Sequence, residues 1–279
     1  MNTGQFWKSF ARNKAALIGG IVFLLVLLVA LLGPLLYPQN PWEMAGLPAM
    51  WPGEDPEFPL GTDALGRDVL SGIINGARVS LLIGTVSMAA AMLLGACIGA
   101  AAGYFRGRVD LFCMKLAELF QTTPLFIFVL TVVAIAGPSF DSIVVAIAIS
   151  AWPTVARLVR AEFLTLRERE FVQYCIGVGM SETRIIFTQI MPNAIAPAII
   201  YSSFIFSTAV LTEAALSFLG LSDPNVMSWG MMIGNGRESL RTAWFLSAIP
   251  GVAIMLTVLA VNLMGEGIND ALNPRSRQR

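Results

Sequence analysis

Ionisable side chains are scarce in this sequence, so those placed inside apolar segments are the first candidates for chemistry. Glu118 and Glu213 each lie in a predominantly apolar run. An ionised carboxylate is costly there, so each should face a partner or a watery cavity. For Glu213 an internal ion pair or hydrogen bond is favoured over contact with a solute. Glu118 reads as a packing or gate hydrogen-bond site. Histidine is absent, which removes Ser-His and Cys-His nucleophiles, the HExxH zinc site and histidine proton relays. Cys97, Cys113 and Cys175 lack metal-ligand spacing and read as reduced packing residues. No metal site is expected.

The elements that must position these residues are membrane spans. Hydrophobic residues make up 56% and charged residues 13% of the 279-residue chain, and mean hydropathy is +0.72. Such values exclude an ordinary water-facing surface and point to an all-α polytopic membrane protein. The net charge of zero gives no reason to expect nucleic acid as a partner. A span needs about 20 mostly apolar residues, and six segments qualify: 15–36, 79–102, 111–136, 143–158, 194–221 and 243–264. The first is read as retained, being too long for a signal-peptide core. Pro124, Pro153, Pro197 and Pro250 mark expected kinks.

Charge bookkeeping sets the orientation. With the N-terminus inside, fourteen Lys and Arg fall on cytoplasmic segments and four (Arg67, Arg78, Arg237, Arg241) outside, so both termini are expected in the cytoplasm. The chain then divides into an amphipathic cytoplasmic segment (1–14), a first span (15–36), an extracytoplasmic loop (37–78), a core of five spans (79–268) and a cytoplasmic tail (269–279). In the first segment, FWKSFARNK mixes aromatic and basic residues and suits either the anionic inner leaflet or a plain topology signal. Gly95, Gly99 and Gly103, with Ala91 on the same face, suit close helix approach. Packing inside the bundle is favoured over a dimer seam.

The most informative stretch is a polar insert in the core, residues 161–193, reading AEFLTLREREFVQYCIGVGMSETRIIFTQIMPN. Backbone this charged cannot sit in lipid. It divides into a helix over 162–176, a break where Gly177 and Gly179 supply left-handed geometry, and a second helix capped by Ser181 with Glu182 in its first turn. That helix is expected to stop before Pro192. Phe171, Tyr174, Met180 and Ile185 are expected to be exposed, which suits an interface better than a solvated loop.

The spacing from Gln173 through Gly179 to Pro192 is similar to the EAA loop of binding-protein-dependent ABC importers. In those proteins a Glu-Ala-Ala triplet precedes the glycine and a Leu-Pro pair closes the motif. Here the triplet is Gln173-Tyr174-Cys175 and the pair Met191-Pro192. With no carboxylate at 173, Glu170 or Glu182 is the expected substitute. Further segments resemble the dipeptide, oligopeptide and nickel permease family: FARNKAALIGGIVFLLVLLVALLGPLLYP, LGTDALGRDVLSGIINGARVSLLIG, EAALSFLGL, SWGMMIGNGRESL and PGVAIMLTVLAVNLMGEGINDALNPR. In order, they best resemble the second (C-type) of that family's two permease subunits, and the family usually carries an acidic residue at the position of Glu118.

The resemblance implies a type I importer transmembrane domain of six helices in the bacterial cytoplasmic (inner) membrane. Its expected partners are a homologous second permease, two ATPase subunits or a fused pair, an extracytoplasmic substrate-binding protein and the lipid bilayer. The subunit itself is expected to be non-catalytic. No GxxxxGK(S/T) phosphate loop occurs in it, so ATP and Mg belong to the ATPase partners and no cofactor to this chain. Peptides are the implied cargo, with nickel chelates, opines or other small solutes as alternatives. ATPase coupling is expected through Glu170, Phe171, Gln173, Tyr174, Gly177, Gly179, Met180, Ser181, Glu182 and Pro192. Asp63, Arg67 and Asp68 are expected to stabilise the external loop by ion pairing or, with Arg237, to dock the binding protein. A secondary transporter or channel is a more distant reading, because it leaves the insert unexplained. An intramembrane enzyme lacks its residues.

Overall fold

The computed structural model describes residues 10–272. The aromatic and basic residues before Phe10, and the tail beyond Leu272, lie outside the described residues. The framework is helical: α1 (Lys14–Leu36), α2 (Val69–Phe105), α3 (Gly107–Gln121), α4 (Leu125–Ala136), α5 (Phe140–Arg167), α6 (Glu170–Gly177), α7 (Glu182–Arg184), α8 (Met191–Ala194), α9 (Ala196–Phe218), α10 (Trp229–Gly236) and α11 (Phe245–Leu272). Five of these (α1, α2, α5, α9, α11) are long and apolar enough to cross a membrane, and the α3–α4 pair makes a sixth if its halves count as one span.

The kink expected at Pro124 is a sharp one: α3 and α4 meet at 82°, where Pro124 supplies no amide proton. Two expected boundaries are corrected. The fourth span is not short: α5 is 28 residues long and contains Pro153, which is buried. The external loop is shorter than 37–78, since Asp68 accepts from Leu70 N and Ser71 N and so starts α2 at Val69. Of the other expected kinks, Pro250 stands inside α11 and Pro197 in the first turn of α9.

α2 and α5 form the spine. Gly95, Gly99 and Gly103 face α5 inside the same chain, where a Cβ at Gly95 would stand 2.5 Å from Val155 Cβ and one at Gly103 2.5 Å from Phe163 Cβ. The small-residue stripe is therefore used for packing within the bundle. α1 packs on α11, with Gly19 against Leu263 and Asn13 Nδ2 donating to Asp270 Oδ2 at 2.8 Å. It buries only Ala16, Gly19, Ala30 and Gly33. Its leucines other than Leu27 are exposed, as a lipid-facing helix requires.

Two structured ends close the bundle. At one, residues 37–68 fold into a cap around buried Thr62 and Phe58, with Trp51 against Phe245 and Trp244. At the other, residues 168–195 form an elbow between α5 and α9.

Candidate functional site

The elbow is built by a sequence of backbone decisions. α5 continues to Arg167, so the expected helix over 162–176 is instead two. Arg169 adopts extended backbone, and α6 begins at Glu170. α6 is closed by Gly179 at φ +77°. Met180 N donates to Cys175 O and Gly179 N to Ile176 O, both at 3.0 Å, the two bonds of a Schellman closure. Gly177 is not part of this: it lies in α6, outside the left-handed region. Ser181 occupies the N-cap position of α7 in extended backbone, but its side chain makes no capping bond. Expected capping by that hydroxyl is thus not seen, while the Ser181 carbonyl makes the ordinary first helical bond, accepting from Ile185 N. The helical path does not stop before Pro192. Residues Ile185–Ile190 widen into a π-helix, and Pro192 stands at the first positions of α8, which follows without a break.

This geometry sorts the apolar residues. Val172, Ile185, Ile186 and Ile190 are buried beside Phe163 and Val159, so Ile185 anchors the elbow and is not exposed as expected. Phe171 (42%) and Tyr174 (72%) face outward on α6, joined by Val178 (59%) at its C-cap and Phe187 (63%) on the π-helix. Met180 is half-buried, while Glu170, Gln173 and Glu182 are exposed. Val178 and Phe187 had no distinguishing mark in the sequence; only their placement opposite the buried isoleucines identifies them. Gln173 Nε2 donates to Arg167 O at 2.8 Å, tying α6 to the last turn of α5. A carboxylate at 173 has no proton to donate to that carbonyl.

Sequence reading also missed a pair of ionic ties beneath the elbow. Arg160 forms a two-pronged bond to Asp110, with Nη2 to Oδ2 at 2.6 Å and Nε to Oδ1. Arg106 reaches Glu168 at 2.6 Å and Leu164 O at 3.3 Å. Both ties fasten the α2–α3 turn to the base of α5. Partners 50 and 62 residues apart in sequence leave no periodic signal.

At the cap end, Asp63, Arg67, Asp68 and Arg237 come together around one cavity of about 530 Å³. The expected ion pairs among them are absent, in contrast to the Arg106–Glu168 and Arg160–Asp110 pairs near the elbow. Backbone amides are the stronger local claim. Asp63 Oδ1 accepts from Leu65 N and Arg67 N at 2.8 and 2.9 Å. Asp68 accepts from Leu70 N, Ser71 N and Tyr37 Oη. Burial, and then that hydrogen bond to Asp68, push the Tyr37 phenol up to about 12. Arg67 stacks over Trp42 at 5.0 Å. Arg237 Nη1 donates to Phe218 O at 2.6 Å.

Beneath that cavity Glu213 is 2% exposed. Its Oε1 accepts from Ser228 Oγ at 2.7 Å and Ser217 Oγ at 2.9 Å, so the hydrogen-bond role holds and no cation pairs with it. Ser228 also caps α10 through Met231 N, and Gly230 leaves room for the carboxylate. Glu213 therefore locks α10 to α9. Glu118 is elsewhere, exposed one turn before the α3–α4 bend, which does not fit a packing role within this chain.

Known proteins match this chain. A family model described as the binding-protein-dependent transport system inner membrane component covers residues 95–278. This chain belongs to that permease family. A second model, the N-terminal TM domain of oligopeptide transport permease C, covers residues 3–48 of the permease. The permease is 39% identical over 277 residues to the di/tripeptide transport system permease protein DppC of Pseudomonas aeruginosa, covering 97% of this chain and 91% of that one. It is 34% identical to the glutathione transport system permease protein GsiD of Pectobacterium atrosepticum, covering 97% and 90%. Among solved structures, the MetNI methionine ABC transporter in an inward-facing conformation matches with a TM-score of 0.57 at 15% identity, over 72% of this chain and 97% of that one. At that identity the match speaks for the fold.

Proposed function

We propose that this permease is the membrane subunit of an ATP-driven importer of di- or oligopeptides, forming half of the translocation pathway beside a homologous second permease. Its similarity over nearly the whole chain to a di/tripeptide permease is the observation that carries the cargo class. In this reading it sits in the bacterial cytoplasmic membrane with both termini and the elbow inside. Two ATPase subunits, separate or fused, bind ATP and Mg, and a substrate-binding protein docks on the cap. The permease itself catalyses nothing.

The elbow is the coupling element. Its outward face offers Phe171, Tyr174 and Val178 to a partner, while its inward face is set in the bundle through Val172 and the three isoleucines. Glu170, Gln173, Met180, Ser181, Glu182 and Pro192 complete the same structure. Closure of the ATPases would push on that face and tilt α5 and α9, the helices to which the elbow is joined. A lever must be stiff, and the Schellman closure with the Gln173 tie makes it so. Glu118 at the α3–α4 bend is the candidate gate residue, and Glu213 holds α10 in place. Asp63, Arg67, Asp68 and Arg237 form the docking region.

Uptake of a labelled dipeptide by vesicles holding the complete assembly tests this reading. Uptake is expected only with internal ATP and the binding protein present. Uptake that persists without ATP, or full-rate transport by the purified permease alone, would overturn it.

A further inference from the structure

The charges around the cap-end cavity are unequally occupied. Asp63 and Asp68 are committed to backbone amides and Tyr37. Neither guanidinium has a carboxylate partner: Arg67 rests on Trp42 with its buried Nε unpartnered, and Arg237 bonds only a carbonyl oxygen. Glu238 lines the same cavity and pairs with neither arginine. Arg67 is half-buried and Arg237 exposed at this cavity, so two guanidinium groups without a carboxylate line it, and a planar fork matches a carboxylate best.

The cavity is also a dead end. Its lining includes Val69, Ser217, Met231 and Leu246, each buried, and the Glu213–Ser228 lock lies beneath them. A pocket with a sealed floor cannot conduct solute, but it can hold a side chain. We propose that Arg67 and Arg237 form a socket for an acidic side chain, aspartate or glutamate, of the docking substrate-binding protein. This rests on the docking reading above and divides its residues by role: the two arginines make the contact, while Asp63 and Asp68 shape the cap that presents them.

The socket has a route inward. Arg237 follows α10, α10 is locked to α9 by Glu213, and α9 begins where the elbow ends. A carboxylate engaging Arg237 therefore grips the far end of the helix that the elbow moves.

The test uses the complete importer in nanodiscs and titrates its loaded binding protein. Arg67 has no side-chain hydrogen bond to lose, so Arg67→Gln is the cleaner variant, with Arg67→Lys as the charge-preserving control. Arg67→Gln and Arg237→Gln are each expected to weaken docking about 10- to 30-fold and to flatten its salt dependence, with Arg67→Lys recovering most of the loss. Replacing the matching acidic residue of the binding protein with Arg should restore docking to Arg237→Glu. Unchanged affinity and salt dependence in both Gln variants, with normal docking, overturns the socket and leaves the docking reading standing. No docking by the wild-type assembly overturns both. Saturable binding of Ala-Ala by the importer alone, abolished by Arg67→Gln, would make the cavity a substrate subsite and overturn the socket for a partner.

Discussion

Replacing Gly179 isolates the stiffness of the elbow from every contact around it. A Cβ built there meets nothing within 4 Å, so Gly179→Ala introduces no clash and changes only the backbone preference. With φ at +77°, a non-glycine residue costs about 1–2 kcal/mol in this region. That lowers the population of the closed elbow about 5- to 30-fold relative to frayed alternatives. Asparagine enters the left-handed region more readily than alanine and should lose less. Gly179→Arg adds to the alanine cost a charged side chain beside Val178, on the face proposed to meet the ATPases. Binding-protein-stimulated ATP hydrolysis and dipeptide uptake by the reconstituted importer are expected to fall in the order Gly, Asn, Ala, Arg. Membrane insertion and the level of the permease should be unchanged, and Gly179→Arg should abolish both activities. If alanine matched glycine, the backbone argument would fail; normal transport by Gly179→Arg would remove the lever itself.

Glu213→Ala leaves the hydroxyls of Ser217 and Ser228 without their acceptor, at a cost of about 1–3 kcal/mol. The purified permease should unfold at a lower temperature, and an unshifted transition would refute the α9–α10 lock. Tyr37 gives the cap an alkaline limit. Its phenol is raised from 10.0 to about 12, so its contribution is complete below pH 10 and disappears as pH rises through about 12. Tyrosine absorbance should lose a late-ionising phenol in Tyr37→Phe; equal titration of the two proteins would contradict the Asp68 bond.

Local physics made the membrane architecture legible before any coordinates. Apolar runs long enough to cross a bilayer mark the spans because the transfer free energy of a segment is a property of its own residues. The polar insert, its division near the glycines and the left-handed turn at Gly179 were readable for the same reason. Gly177 and Ser181 show the boundary of that logic. Each is a residue type suited to ending or starting a helix, but the Schellman bonds needed only Gly179, and the Ser181 hydroxyl makes no capping bond.

What required the fold was every relation between segments far apart in the chain. Ile185 was expected to be exposed until the π-helix turned it toward Phe163 and Val172. Asp63 and Asp68 looked like partners for Arg67 because opposite charges lay close in sequence, yet neighbouring amides took the carboxylates first. The Arg160–Asp110 and Arg106–Glu168 ties, the Glu213–Ser228 lock and the meeting of Arg67 with Arg237 around one cavity depend on how helices pack. A sequence specifies how each segment prefers to fold and how much of it belongs in lipid. It does not announce which of many polar groups will meet, because that choice is made by packing the whole bundle at once.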